Sequence, residues 1–265
     1  MRKIRSAADS RLRTQSLERA FGLLRAVAAR DGARLTELAA ELGLATPTAR
    51  RILLGLMREG FIEQEPNDRL YFIGPEAYVV GVLASKRHGL RNMAQESLVR
   101  LVDASQDSVF LSVPIGTQSL CLERLEGTFP IRSHVLQTGA RHPLGVGAGS
   151  LAILAAMGDE AVQRAIQANA ALLAERFPVF TEDRIWKLVH ETRARGFAVN
   201  PGLVLTHSWG VGAAVLDDRG APVAALSIAA IRERLQNDRL AELGLLLRAE
   251  CERVALAMRG TKARP

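Results

Sequence analysis

Apolar residues recur every three or four positions through the first third of the chain, as they do along one face of an α-helix. This spacing predicts a first helix from Ser16, a second over Thr36–Leu42 and a third over about Pro47–Arg58. Glycine and aspartate residues, which favour turns, separate the three helices. Residues 1–13 are basic and lack the pattern, so we expect a disordered arm there.

The period of the hydrophobic pattern then shortens to that of a β-strand. Phe61–Gln64 and Leu70–Ile73 alternate or are rich in strand-forming residues, and Glu65–Asp68 between them favours a turn. These segments predict a β-hairpin. A following segment with several small residues, Glu76 to about Lys86, predicts a connector helix that leads into the second half of the chain.

The second half alternates between predicted strands and predicted helices. The predicted strands are Val109–Val113, Leu120–Leu125, Ile131–Leu136, Gly210–Leu216 and Val223–Ala229. The predicted helices are Leu90–Ala104, Gly149–Met157, Glu160–Leu173, Glu182–Arg195 and Arg239–Met258. Asp217–Gly220 predicts a hairpin turn. This order indicates a sheet rich in antiparallel pairs with helices on a face.

The second and third predicted helices can share one small core across a tight turn. The apolar residues that would form this core are Leu38, Leu42, Leu44, Ala49, Ile52, Leu53 and Leu56. Gly43 can take the left-handed conformation that ends a helix. Thr46 is expected to cap the third helix, with Pro47 at its first position. The pattern predicts a helix-turn-helix with the hairpin as a wing.

The opposite face of the third helix is polar and basic. Arginine can pair with guanine edges, and hydroxyl groups and helix N-terminal amides can bind phosphates. On the wing, we expect Arg69, near the tip of the hairpin, to contact the DNA backbone or the minor groove. The other expected DNA contacts are Thr36, Thr46, Pro47, Thr48, Arg50, Arg51 and Arg58.

Charge distribution supports this expectation. The net charge is +7, and the first 88 residues carry 15 basic and 10 acidic side chains. A basic N-terminal third favours a polyanionic partner, although basic surfaces also serve solubility. Aromatic residues are only 5% of the chain, which argues against proteins that stack single-stranded bases on aromatic side chains.

Composition excludes several classes of protein. With 265 residues, 48% of them hydrophobic, the chain is long enough for one large or two ordinary folded domains. Its two cysteines lie far apart in sequence, which excludes a disulfide framework and fits the cytoplasm. The uncharged run Phe197–Leu216 contains asparagine, proline and glycine residues, so it predicts strand, turn and strand rather than a membrane span. No signal peptide is visible.

Candidate catalytic chemistry is sparse. The chain lacks the GxSxG, HExxH and phosphate-loop motifs, and no two of its five histidines are four residues apart. We therefore expect no enzyme, no cofactor and no metal ion. The VGAGS segment, Val146–Ser150, precedes a predicted helix, so it either binds an anionic group or simply forms a tight turn. His207, beside Ser208 and Trp209, is a candidate for a polar contact or a structural role.

Several sequence stretches resemble one family. SLERAFGLLRAVA and RLTELAAELGLATPTARRILLGLMREGFIEQ resemble the winged helix-turn-helix of the IclR family of bacterial transcriptional regulators. GARHPLGVGAGSLAILA, TRARGFAVN and VGAAVLDDRGAPVAALSIAA resemble its effector-binding domain. The resemblance covers about Ser16–Met258. It implies a cytoplasmic dimer or tetramer that binds a palindromic double-stranded DNA operator and responds to a small metabolite.

The resemblance also implies an α+β fold. It would join the winged helix-turn-helix through the connector helix to an α/β, GAF-like effector-binding domain. The expected segments are the basic arm over 1–13, the DNA-binding domain over 14–74, the connector over 75–88 and the effector-binding domain over 89–260.

A ligand cavity between the VGAGS turn and the sheet is a further implication of the resemblance. Asn200, Gly210 and Ala229 replace an acidic residue, a cysteine and a serine that are common in the family, which suggests a larger and more apolar pocket. We expect an aromatic or otherwise bulky carboxylate, bound by the amides of Gly149 and Ser150 and assisted by Arg132 or Arg141. The expected effector-binding residues are Arg132, Ala148, Gly149, Ser150, Asn200, His207, Ser208, Trp209, Gly210, Ser227 and Ala229.

Two other functions are open at this point. The chain could be a metabolite-binding enzyme that its N-terminal module docks on DNA, although it has no visible catalytic motif. It could instead be an interaction module whose winged helix binds protein. The basic helix face without an apolar patch speaks against that second alternative.

Overall fold

The computed structural model describes residues 7–85, 89–131 and 136–262. Contacts divide the chain into two units, Met1–Gly89 and Leu90–Pro265. The helices of the first unit are α1 (Ala7–Ala28), α2 (Leu35–Glu41), α3 (Thr46–Arg58) and α4 (Pro75–Ser85). Its hairpin consists of β1 (Ile62–Gln64) and β2 (Tyr71–Ile73), which pair antiparallel.

The core of the first unit lies where α1, α2 and α3 meet the hairpin. Leu38, Ala49 and Leu53 are fully buried, and the other apolar residues predicted from the helical spacing pack around them. Gly43 has a φ of 59°, the left-handed conformation expected after α2. The helix-turn-helix and its hairpin are therefore confirmed as structural elements.

Two element ends in this unit differ from the prediction. Helix α1 begins at Ala7, so the expectation of a disordered arm is wrong for residues 7–13, where alanine, arginine and leucine favour helix; residues 1–6 lie outside the described residues. The N-cap of α3 is Ala45 and not Thr46, so Thr46 is the first helical residue. Helix α4 is described up to Ser85, and residues 86–88 of the expected connector lie outside the described residues.

The second unit is built on one antiparallel sheet. Its strands are β3 (Ser108–Ile115), β4 (Gln118–Leu125), β5 (Arg141–Pro143), β6 (Ala198–Leu205), β7 (Ser208–Leu216) and β8 (Pro222–Ile231). Its helices are α5 (Leu90–Ser105), α6 (Ala148–Ala155), α7 (Asp159–Arg176), α8 (Glu182–Arg195) and α9 (Asn237–Lys262). The strand order is β5-β4-β3-β8-β7-β6.

Each face of this sheet covers its own core. Along β8, Ala224, Leu226 and Ile228 belong to a core with α5 and α9, whereas Ala225 belongs to a core with α6, α7 and α8. The alternation follows from the two-residue period of a strand, whose side chains point to opposite faces. The predicted sheet with helices therefore forms, with helices on both of its faces.

Some strand predictions need correction. The predicted strand Ile131–Leu136 lies largely outside the described residues, since 132–135 are not described, and neither Ile131 nor Leu136 belongs to a strand. Strand β5 was not predicted because it has only three residues, two of them basic or polar. The run Phe197–Leu216 does form strand, turn and strand, as β6 and β7. No helix in the described ranges has the length and apolar composition needed to cross a membrane.

Candidate functional site

The outer surface of α3 carries unpaired cations. Arg50, Arg51 and Arg58 are exposed, and no described residue accepts a hydrogen bond from any of their guanidinium groups. Arg30 on α1 differs, because its guanidinium binds the Ala26 carbonyl and the Glu41 carboxylate. The fold therefore uses Arg30 internally and leaves the three arginines of α3 available to an external anion.

The N-terminus of α3 adds polar groups that are not used in capping the helix. Ala45 accepts from the amides of Thr48 and Ala49 at 2.9 and 3.1 Å, and no side chain caps the helix. The exposed hydroxyl of Thr46 is therefore not used as a cap. Pro47 is exposed beside it and Thr48 is half-buried. The positive end of a helix dipole with free hydroxyl groups is suited to bind phosphate.

The tip of the hairpin fixes the backbone of Arg69 but not its side chain. Its amide donates to the Glu65 carbonyl at 3.0 Å, and its carbonyl accepts from Gln64 Nε2 at 2.9 Å. The φ of Arg69 is 57°, a left-handed conformation stabilised by this tight turn. The guanidinium is exposed at the tip. Thr36, in the first turn of α2, is exposed as well.

A cavity lies in the second unit between the N-terminus of α6 and the sheet. Its volume is about 50 Å³. The sequence-predicted residues that line it are Ala148, Gly149, Ser150, Asn200, Ser208, Trp209, Gly210, Ser227 and Ala229. Val146 and Gly147 of the VGAGS segment line it as well. Lining residues that the prediction missed are Phe110, Ser112, Ser119, Leu136, His142 and Ile228.

Strand register brings together lining residues that are distant in sequence. Asn200 on β6 pairs with Gly210 on β7, and Gly210 pairs in turn with Ala229 on β8. In the next pair on the same face, Gly212 stands opposite Ser227. The floor of the cavity is thus a row that crosses three strands.

Glycines on β7 let the N-terminus of α6 approach the sheet closely. A β-carbon at Gly210 would lie 3.1 Å from the Ala148 β-carbon, and one at Gly212 would lie 2.9 Å from the Ala148 carbonyl. The space freed at Gly210 is therefore filled by α6. This packing contradicts the enlarged pocket expected from the sequence, because a cavity that holds benzene has roughly 150 Å³.

Some polar groups around the cavity already form hydrogen bonds within the protein, and others do not. Ser150 Oγ donates to the Pro143 carbonyl at 2.9 Å and accepts from the Gly145 amide at 3.1 Å, so its hydroxyl holds the loop. The N-cap of α6, Gly147, has a φ of 86° and provides no side-chain cap. The amides of Gly149 and Ser150 lie in the first turn, where no intrahelical acceptor exists. They remain the groups best suited to an anion.

Two of the expected ligand contacts are not at the cavity. His207 is exposed in the turn between β6 and β7 and does not line it, because the hairpin carries this residue beyond the sheet. Arg141 is exposed on β5 and is likewise absent from the lining. Arg132 lies outside the described residues.

His142 is the titratable side chain that the prediction did not select. It is half-buried on β5, opposite Ser119 of β4, and its ring meets the edge of Phe177 at 5.6 Å. Burial lowers the pKa of His142 below its usual value, and a hydrogen bond to the Val146 backbone acts in the opposite direction. The residue stands inside the GARHPLGVGAGS stretch, which was the available sequence signal. In the part of the chain that the structure describes, no three His, Cys, Asp or Glu side chains could hold a metal ion together.

Both units match models of known families. Residues 16–66 match the IclR helix-turn-helix domain, and residues 82–256 match the C-terminal domain of the bacterial transcriptional regulator IclR. The chain is 33% identical to the glycerol operon regulatory protein of Streptomyces coelicolor over 83% of this chain and 86% of that protein. It is 26% identical to the acetate operon repressor of Salmonella typhimurium, over 94% and 91% of the two chains. These relatives are transcriptional regulators, not enzymes.

Solved structures share the fold. The IclR transcriptional regulator of Alicyclobacillus acidocaldarius matches with a TM-score of 0.76 at 20% identity, over 92% of this chain and 98% of that one. An IclR homolog of Microbacterium hydrocarbonoxydans, complexed with 4-hydroxybenzoate, matches with a TM-score of 0.75 at 20% identity, over 92% and 99%. The mixed α+β architecture predicted from the sequence is thereby confirmed.

Proposed function

The chain belongs to the IclR family of bacterial transcriptional regulators, and we propose that it binds a palindromic operator whose occupancy a small organic acid modulates. The observation that carries the DNA-binding part is the set of unpaired guanidinium groups on α3 beside an uncapped helix N-terminus. Since the family regulates transcription on DNA, we also propose that the protein acts in the cytoplasm.

In this proposal α3 enters the major groove. Arg50 and Arg51 would contact base edges, Arg58 a phosphate farther along the groove, and the residues around Thr46 the adjacent backbone. Thr36 in the first turn of α2 would contact a second phosphate. Arg69 would reach the minor groove or its phosphates from the wing.

A palindromic operator requires two reading heads, so we propose a dimer or a tetramer. Helix α4 supports this, because it is apolar for most of its length yet has no buried residue within the chain. Tyr78 and Leu83 on it are 74% and 59% exposed. A second copy would remove this surface from water. Sedimentation equilibrium of the full chain should give a dimer or tetramer mass, and a monomer at operator-binding concentrations would contradict the assembly.

The proposed effector site is the cavity at the N-terminus of α6. First-turn amides and the positive end of the helix dipole favour a carboxylate there. The volume of about 50 Å³ favours an acid of a few carbon atoms over a bulky one. The hydroxyls of Ser112, Ser119 and Ser227 would bind its other oxygens.

An aromatic acid is the second candidate. Two observations favour it: Trp209 forms part of the cavity wall and is only half-buried, and a structural neighbour was crystallised with 4-hydroxybenzoate. The volume of about 50 Å³ is smaller than the roughly 150 Å³ of a cavity that holds benzene, so a ring requires the lining to move.

Acid binding would change operator affinity through α4, the connector between the two units, provided that the acid favours one conformer by about 1–3 kcal/mol. Footprinting on genomic fragments that flank the gene tests the whole proposal. We expect protection of a palindrome, altered by an acid from a panel of acetate, propionate, glyoxylate, benzoate and 4-hydroxybenzoate. Failure to bind any duplex at low ionic strength would contradict the proposal.

A further inference from the structure

The cavity at α6 has one ionisable side chain among the described residues that line it. Serine, asparagine, glycine and apolar residues make up the rest of the lining, and His142 alone can carry a charge. A carboxylate that enters this cavity loses its hydration, so it needs a compensating charge or several hydrogen bonds.

The imidazole of His142 packs against Phe177 in an edge-to-face contact, with 5.6 Å between the two ring centroids. No described side chain forms a hydrogen bond or an ion pair with the imidazole. A neutral ring keeps a lone pair on one nitrogen, whereas a protonated ring offers an N–H from both nitrogens to an acid.

Among the described residues of the surrounding elements, no fixed cation substitutes for His142. The part of β4 that pairs with β5 carries no ionisable residue, and neither does α6. Arg141 on β5 and Glu175 and Arg176 at the end of α7 are exposed, and none of the three lines the cavity. Arg132 and His134 lie in the stretch that the structure does not describe.

We propose that His142 takes up a proton from solvent when an organic acid binds and that the resulting imidazolium pairs with the carboxylate. The inference rests on the proposed function of this cavity as the effector site. It assigns the charge-pairing role to His142 in place of Arg141, which does not line the cavity. It also makes acid binding, and through it operator occupancy, sensitive to pH.

The direction of the pH effect follows from linkage. Burial lowers the pKa of His142 in the free protein, so the ring is neutral at pH 7. A carboxylate beside it raises that pKa, so the complex holds one more proton than the free protein. Affinity for the acid therefore rises as pH falls between these two pKa values, by at most about tenfold per pH unit.

Calorimetric titration of the full-length protein measures this proton directly. The probes are acetate, propionate, glyoxylate, benzoate and 4-hydroxybenzoate, each tested at pH 7 in two buffers with different ionisation enthalpies. We expect the difference in observed enthalpy to show uptake of up to one proton per bound acid. Binding without proton uptake would overturn the role of His142 and leave the effector site intact. Absence of binding by every acid between pH 5.5 and 8 would overturn both proposals.

Matched variants assign the proton to one residue. In His142→Gln, which keeps a neutral hydrogen-bonding side chain, we expect affinity near that of the wild type at pH 8 and about tenfold lower at pH 6, with no proton uptake. His190→Gln is the control, because His190 stacks on Trp186 at 5.6 Å on α8, away from the cavity. It should retain the pH dependence. An unchanged pH dependence in His142→Gln would overturn the inference, and the wild-type calorimetry tests it even without that variant.

Discussion

Gly149 in the first turn of α6 lies directly against Ser227 of β8. A β-carbon at position 149 would be 3.0 Å from Ser227 Oγ and 3.6 Å from Ser112 Oγ. The absence of a side chain at this position therefore keeps two strand hydroxyls next to the helix N-terminus. This contact joins the two walls of the cavity proposed as the effector site.

Substitution Gly149→Ala is expected to weaken acid binding. The added methyl group would displace Ser227 or move α6 away from the sheet, and both changes disturb the cavity. We expect at least a tenfold loss of affinity in calorimetry, with operator binding retained in a gel shift because the DNA-binding unit is unchanged.

Gly158→Ala is the matched control for this prediction. Gly158 is the N-cap of α7, and a β-carbon there would meet nothing within 4 Å. Its acid affinity should equal that of the wild type. Equal affinities of both variants would show that the acid does not bind against Gly149.

Arg51→Ala is expected to lower operator affinity and to relax base preference at one position. A base-edge contact by arginine contributes about 1–3 kcal/mol of discrimination. Fluorescence anisotropy with operator variants measures it, and Arg219→Ala, in the exposed β7–β8 turn, is the control. If Arg51→Ala bound the operator as the wild type does, the placement of α3 in the groove would be wrong.

Arg69→Ala is expected to weaken binding evenly across sequences. A lost phosphate contact reduces the slope of log K against log salt by about 1 without changing base preference. Affinity measured at several salt concentrations on operator and random duplex tests this. A selective loss on the operator alone would mean that Arg69 contacts bases.

Asp107→Asn is expected to destabilise the second unit. The Asp107 carboxylate is almost fully buried and accepts from Arg234 at 2.8 and 3.1 Å and from Arg239 at 3.1 Å. Hydrogen bonds to charged groups contribute about 1.5–3 kcal/mol each, so we expect a loss of about 2–3 kcal/mol in urea denaturation. Asp218→Asn, at an exposed pair with Arg259, should cost below about 1 kcal/mol. Equal costs would contradict a structural role of this cluster.

Glu250 should make stability fall in acid. Burial alone raises its pKa, but hydrogen bonds from Arg100 and Ser97 outweigh burial and hold the pKa below the usual value. The stabilisation is therefore present above the pKa of an unfolded glutamate and is lost as pH falls through the lower pKa of the folded state. Chemical denaturation between pH 7 and pH 3 should show a smaller decrease for Glu250→Gln than for the wild type. An identical decrease would contradict this assignment.

Local pattern was sufficient for the elements of the DNA-binding unit. The predicted core around Leu38, Ala49 and Leu53 formed as expected, because contacts between neighbouring helices follow the helical period. The ends of the helices were harder to predict than their existence. The N-cap of α3 is Ala45 where the sequence predicted Thr46, because helix boundaries vary by a residue or two.

The lining of the cavity at α6, which we propose as the effector site, was predictable only in part. Residues on the VGAGS turn and on β7 and β8 were found through their resemblance to a family. His142 and Ser119 were not, because a three-residue strand and a polar position in a neighbouring strand carry no periodic signal. Conversely, His207 was selected for its chemistry and is directed away by the hairpin turn.

The sequence by itself determined the order of helices and strands, the helix-turn-helix and the basic face of α3, since each depends on the spacing of residues close together in the chain. Tertiary structure alone decided the size and chemistry of the cavity. Gly210, Gly149 and His142 come from different elements, and only strand register and close packing fix the distances between them. The room beside each of these residues depends on the side chains that pack against it, and those side chains come from parts of the chain that are distant in sequence.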